Sequence, residues 1–325
     1  PYVDAIGGPL AKGFSFIDPT VFIDDDGRAY LFWGNKGLWY GELNDDMISF
    51  KNGYQEVPGF HDPKCFGPQS IKMNWAKGKE ELMVGFEEGP WISKRGDLYY
   101  LTYPAGGVPE HMAYSTAPTV NGPWTYRGRI MDEAVNSFTI HGGEVTYKGH
   151  SYMFYHNGKL PNGAGFHRSA AVEEFKYNPD GTIPFIPFTE NGPAPVGTLN
   201  PYERVEAETM AHSWGLKTDR LPGKDHYVRK IDNGDWIKIR EVEFGTEGPK
   251  QVTVKTLNFK NPGTVEFYLN ALSDAPFATV KVDGTADEQT VEVRSRRPVT
   301  GKHDVYILFR GGDEELFDFD WWQLK

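Results

Sequence analysis

Cysteine, net positive charge and long apolar runs are all scarce in this chain. Cys65 is the single cysteine among 325 residues, so no disulfide forms within the chain, and no cysteine-enzyme motif surrounds that thiol. Asp and Glu number 45 against 34 Lys and Arg, a formal net charge of −11. Such a surplus repels nucleic acid and anionic membrane surfaces, so neither is an expected partner. A neutral polysaccharide is not disfavoured. No stretch reaches the roughly 18 apolar residues that would span a bilayer, and none reads as a signal peptide. Helical periodicity is also missing: no long run repeats apolar residues at i, i+3, i+4 and i+7.

Aromatic residues, by contrast, make up 14% of the chain. That share fits β-structure, and it also fits sugar binding, where ring faces stack on pyranose CH groups. Three stretches repeat one plan: Asp18 to Trp33, Glu88 to Tyr103, and His141 to Tyr155. Each reads as an apolar strand, a tight turn at Gly27, Gly96 or Gly149, and an aromatic-rich return strand. Asp18, Glu88 and His141 therefore hold equivalent places at the start of each unit. The turn glycines stand 69 and 53 residues apart, room for about four short strands per unit, the size of a propeller blade. Further strands are expected at 111–115 and 166–172. Three units cannot close a ring of about four to eight blades, so the chain is expected to begin inside a larger domain.

A proline-studded passage, residues 183–196, marks a connector with a boundary near residue 198. Beyond it, short alternating segments such as 236–240, 251–255, 265–269, 278–282, 290–294 and 304–309 predict a β-sandwich.

Two acidic side chains stand out. Inverting hydrolysis of a glycosidic bond needs a carboxylic acid and a carboxylate base about 6.5–9.5 Å apart, and converging strand starts can supply them in Asp18 and Glu88. Glu88 lies among bulky apolar neighbours, where burial is expected to raise its pKa as a general acid requires. His141 is open between core residue, metal ligand and sugar contact. Arg168 is open between a surface charge and an anchor for a carboxylate or sugar hydroxyl. In the second region Glu206 and Glu208 lie on one side of a strand, and Asp320 is flanked by aromatics near the other end. Calcium takes about six to eight oxygens, and these three would supply much of such a shell.

Residues 1 to about 190 resemble glycoside hydrolase family 43, through Phe16 to Asp24, Glu87 to Trp91, Tyr155 to Gly158 and Phe166 to Thr182. The resemblance implies an all-β fold: a five-bladed β-propeller, of which residues 1–198 are the C-terminal portion. It also implies an inverting mechanism with Glu88 as general acid. Asp18 becomes the aspartate that tunes and orients that acid, not the base. His141 matches an axial histidine associated with a metal ion or its waters, and Arg168 an arginine of the sugar subsite. The family's general base comes from an opening blade that this sequence lacks, so these 325 residues alone are expected to hydrolyse poorly. The absent blades are a possible separate partner segment.

Residues 199–325 resemble a family 6 carbohydrate-binding module, a jelly-roll β-sandwich, through Val205 to Thr209, Ile231 to Ile237, His303 to Tyr306 and Phe319 to Gln323. By that resemblance Glu206, Glu208 and Asp320 match structural calcium ligands. Lys230 stands where the module's loop-end cleft has tyrosine, and Asp318 where it has asparagine. A partnering tryptophan is missing between Asp283 and Thr300. Weak stacking at that cleft follows, with a docked, supporting role for the module. Together the two resemblances imply release of arabinofuranosyl groups from arabinoxylan or a related hemicellulose by a secreted enzyme. The alternatives are a β-xylosidase or arabinanase, or a non-catalytic glycan-binding protein.

Overall fold

The computed structural model describes residues 3–74, 79–160, 162–220, 226–284, 287–295 and 297–325. The chain divides into two compact units, Pro1–Ala194 and Pro195–Lys325. Both are built of β-strands. The single helix among the described residues, α1 (Pro63–Phe66), has four residues, with Asp62 accepting from Lys64 N at its N-terminus. None is long and apolar enough to cross a membrane.

In the first unit the strands run in chain order: β1 (Thr20–Ile23), β2 (Ala29–Trp33), β3 (Trp39–Glu42), β4 (Gln55–Glu56), β5 (Pro68–Asn74), β6 (Lys79–Val84), β7 (Trp91–Arg95), β8 (Leu98–Ala105), β9 (His111–Ala117), β10 (Thr125–Met131), β11 (Gly142–Tyr147), β12 (His150–Asn157) and β13 (Ser169–Phe175). They form antiparallel sheets β1-β2-β3-β4, β10-β9-β8-β7 and β11-β12-β13, with β5-β6 as a separate ribbon. All three expected hairpins are present, and Gly27, Gly96 and Gly149 turn with φ of 83°, 58° and 82°, values only glycine adopts without cost. One boundary differs from expectation. The strand begins at Ser169 rather than Phe166, because Ala164 and His167 close a small turn on each other first.

Aromatic side chains fill the spaces between sheets. Phe32, Phe66, Phe86, Leu101 and Tyr103 pack in one cluster beneath the first two sheets, and Tyr100, Met112, Tyr114, Met153 and Tyr155 in a second beneath the next pair. The first strands lie side by side, with β7 adjoining both β1 and β11. This adjacency brings the equivalent residues of the three units together.

The second unit contains β14 (Val205–Glu206), β15 (His212–Trp214), β16 (Lys217–Arg220), β17 (His226–Arg229), β18 (Trp236–Glu243), β19 (Gln251–Leu257), β20 (Gly263–Leu269), β21 (Ala278–Val282), β22 (Glu288–Glu292), β23 (Lys302–Gly311) and β24 (Asp318–Leu324). One sheet has the order β16-β17-β24-β19-β22, with β14 also on β24; the other is β15-β18-β23-β20-β21. Between them lies an apolar core that includes Val252, Val254, Phe267, Ile307, Phe309, Phe319 and Trp322, all at most 1% exposed. Alternation along β18 shows the physics: Ile237 and Ile239 face inward, while Trp236 and Lys238 face the opposite side. Truncating a side chain such as Phe267 to alanine would cost about 3–5 kcal/mol.

Candidate active site

Asp18 precedes β1 on a segment fastened to the turn after β2. Gly34 N donates to Ile17 O at 2.9 Å, and Asn35 N to Ser15 O at 3.0 Å. Asp18 itself takes a φ of 57°, a left-handed conformation that aspartate tolerates better than most residues. The same turn reaches the next sheet, where Lys36 N donates to Glu87 O at 2.6 Å. Two loops are thereby locked, and Asn35 is delivered to Glu88: its Nδ2 donates to Glu88 Oε2 at 2.5 Å.

Glu88 Oε1 accepts from His141 Nε2 at 3.1 Å, across from the start of β11. Asp18, Glu88 and His141 each place a ligand-type atom within 4.8 Å of the others. The three repeated positions do converge. Asp18 and Glu88 are also closer than the roughly 6.5–9.5 Å that leaves room for a water between an acid and a base, so Asp18 does not fit the base's place.

A second layer backs these residues. Glu110, 1% exposed, accepts from Ile140 N at 3.1 Å and hydrogen-bonds the Glu88 carboxyl group. The His156 ring stacks on His141 with centroids 5.6 Å apart. His156 Nε2 donates to Thr139 O at 2.9 Å, and Arg168 Nη1 donates to Thr139 Oγ1 at 3.0 Å. Arg168 is exposed, and its charge is felt at both Asp18 and His156.

The electrostatics correct one expectation. Glu88 sits well below the usual carboxylate range, because the His141 hydrogen bond, aided by Asn35, outweighs the upward push of burial. Sequence neighbours alone suggested the reverse. Two other carboxyls are pushed up instead: Asp18, mainly by burial and further by the Glu88 charge, and Glu110, by burial and the same charge. Burial and then Arg168 lower His156 to about 4, so its ring is neutral at ordinary pH.

Among the described residues, Asp18, Glu88 and His141 are the one trio with such close ligand-type spacing. Glu88 spends both oxygens on His141 and Asn35, and His141 Nε2 is used in the same bond. The trio is a hydrogen-bonded proton-transfer cluster and does not fit a directly coordinated cation. In the second unit, Ala207 N donates to Asp320 O at 2.9 Å, which sets Glu206 and Glu208 beside Asp320 on the β14–β24 pair. Arg204 pairs with Glu206 at 2.8 Å, and Lys255 with Asp320 at 3.4 Å. Glu208 Oε2 is buried without a hydrogen-bond partner, the one oxygen here whose state fits a cation.

At the loop end of the sandwich, Lys230 has a φ of 52°, and Asp318 is buried and accepts from Asn258 Nδ2 at 2.7 Å. Rings gather elsewhere, on the outward side of the five-stranded sheet. Trp214 pairs with Trp236 across β15 and β18, and the Trp236 ring lies 5.6 Å from that of Tyr306. Trp214 is 52% exposed. Sequence reading had missed this platform, along with Asn35, Glu110 and His156. The alternation of Trp236 and Lys238 with Ile237 and Ile239 was the signal for the first; the other three depend on loops meeting in space.

A cluster of carboxyl groups and histidines at the meeting of β-sheet edges, followed by a separate β-sandwich, defines a glycosidase-type catalytic unit with an appended module. Residues 1–183 match the profile of glycosyl hydrolases family 43, and the chain belongs to that family. Residues 206–325 match the carbohydrate binding module, family 6. The arabinoxylan arabinofuranohydrolase of Bacillus subtilis (strain 168) is 29% identical over 354 residues, covering 99% of this chain and 67% of that protein. Its counterpart from Paenibacillus polymyxa is 27% identical over 371 residues, covering 99% of this chain and 54% of the relative. The crystal structure of a family 43 arabinoxylan arabinofuranohydrolase from Bacillus subtilis, in complex with cellotetraose, covers 100% of this chain and 72% of its own, with a TM-score of 0.79 at 24% identity. That last likeness is one of fold.

Proposed function

We propose that this chain carries the acid half of an inverting glycosidase that removes α-L-arabinofuranosyl groups from arabinoxylan. The observation that carries this reading is the convergence of Asp18, Glu88 and His141, with Glu88 gripped on both oxygens. Glu88 protonates the leaving oxygen. Asp18 sets the charge around it, and its buried, unpaired Oδ2 is an acceptor that a sugar hydroxyl would satisfy. His141 orients Glu88, and Arg168, anchored on Thr139, offers planar donors to the sugar. No described residue is assigned the water-activating role, so turnover by these 325 residues is expected to be low. The three sheets are best read as part of a five-bladed propeller. Relatives named for arabinoxylan favour arabinose over xylose as the product.

The module is proposed to hold the polymer through the Trp214–Trp236–Tyr306 face and to bind calcium at Glu208, with Glu206 and Asp320 adjoining. A polymeric plant substrate places the enzyme outside the cell.

The test uses an external nucleophile. With branched arabinoxylan oligosaccharides, azide should raise turnover by supplying the attacking group, giving an arabinosyl azide of inverted configuration, and Glu88→Gln should abolish it. Xylose release would support the xylosidase reading. Retardation in arabinoxylan gels with no azide-dependent product would leave a glycan-binding protein.

A further inference from the structure

Glu110 stands behind Glu88 and has no ion-pair partner among the described residues. Its carboxyl is buried, takes one backbone hydrogen bond from Ile140 N at 3.1 Å, and meets the Glu88 carboxyl in a side-chain hydrogen bond. Two acids can share such a bond only if a proton lies between them, since neighbouring anions in a buried setting repel strongly. The surroundings decide which one holds it. Glu88 receives N–H donors from His141 and Asn35 and retains partial access to water. Glu110 faces Glu88 and Glu87, both acidic, from the loop before β7. From the segment before β11 it meets only the Ile140 amide.

We propose that Glu110 is a positioning residue that holds a proton against Glu88, as a neutral carboxylic acid donating its O–H to the Glu88 carboxylate. This rests on the reading of Glu88 as general acid and adds to it the source of the acid's proton. Burial and the Glu88 charge, which push Glu110 upward, agree with that placement. In the reaction the proton passes from Glu110 to Glu88 and on to the leaving oxygen, which keeps the electron pair of the broken C–O bond. The attacking water loses one proton to the base and on to solvent, and one solvent proton then restores the Glu88–Glu110 pair. The sum is consumption of one water.

Infrared difference spectroscopy on the whole protein tests the placement without turnover. At neutral pH a protonated-carboxyl C=O band should be present and should be lost in Glu110→Gln. A Glu144→Gln control separates the other deeply buried acid. Glu88→Gln removes the neighbouring charge, so the pH at which the Glu110 band vanishes should fall. Where cleavage is measurable, Glu110→Gln keeps a hydrogen-bond donor but no transferable proton. It should lower kcat by about 10²-fold with KM unchanged. A folded Glu110→Gln protein that keeps the whole band, or a Glu88→Gln protein whose band is lost at an unchanged pH, overturns the proposal. If Glu110→Gln does not fold, the Glu88→Gln titration decides alone. Failure of the Glu88 reading would show separately, as cleavage that survives Glu88→Gln, and leaves the infrared result standing.

Discussion

Gly89 and His141 touch so closely that a Cβ on Gly89 would sit 2.5 Å from His141 Nδ1. Gly89 also has a φ of 52°. The residue after the acid is thus required to be glycine twice over, by backbone conformation and by the ring packed against it. Gly89→Ala should push His141 off Glu88 Oε1. We expect a loss of about 1 kcal/mol or more in stability from the backbone alone. A fall of about 10²-fold in kcat/KM should accompany it, as small misplacements at a reacting centre produce. Thermal melts and azide-assisted kinetics check both; wild-type kinetics would show that the His141–Glu88 bond is dispensable.

Glu144 makes a different connection. From β11 it accepts hydrogen bonds from Ser93 Oγ on β7 and from Thr102 Oγ1 on β8, the latter at 3.0 Å, while its backbone oxygen accepts from Trp91 Nε1 at 3.1 Å. Burial raises its pKa above the ordinary 4.5. The folded state therefore binds more protons than the unfolded one once pH exceeds about 4.5, and stability from this group is lost as pH rises toward the folded value. Glu144→Gln should flatten that part of the Tm-against-pH curve. Glu144→Leu should cost about 1–3 kcal/mol by leaving both hydroxyls unpaired.

For the sandwich, the unpaired Glu208 oxygen predicts a metal response. Adding calcium should raise the Tm of the second unit's transition, EDTA should reverse the gain, and Glu208→Gln should remove it. Ligand linkage puts the gain at about 3 kcal/mol when calcium exceeds its Kd about a hundredfold. An identical Tm with calcium and with EDTA would rule the ion out.

Polymer binding should follow the rings. Trp214→Ala and Trp236→Ala should each weaken retardation in arabinoxylan gels, with losses of about 1–3 kcal/mol in binding if a sugar stacks there. Substitution of Lys230 at the loop end should change little. The opposite ranking would return sugar binding to that cleft.

The hairpins were legible because turn glycines and alternating side chains are local properties. Gly27, Gly96 and Gly149 turn where their neighbours said they would, and the carboxylates stood out by occupying matching positions. Asn35, Glu110 and His156 were not legible, since each reaches the site through bonds between distant segments, such as Lys36 N to Glu87 O or Glu110 N to Phe138 O. Glu88 shows the limit best. Its flanking residues predicted a raised pKa, yet the group that governs it, His141, comes from 53 positions away.

One backbone bond, from Lys36 N to Glu87 O, ties the turn of one sheet to the acid's loop in the next. Through it, the chemistry becomes a property of registry between neighbours and of no single piece. On warming, slippage at that seam would silence the reaction while every sheet still kept its own ladder intact, so inactivation should run ahead of the far-ultraviolet signal.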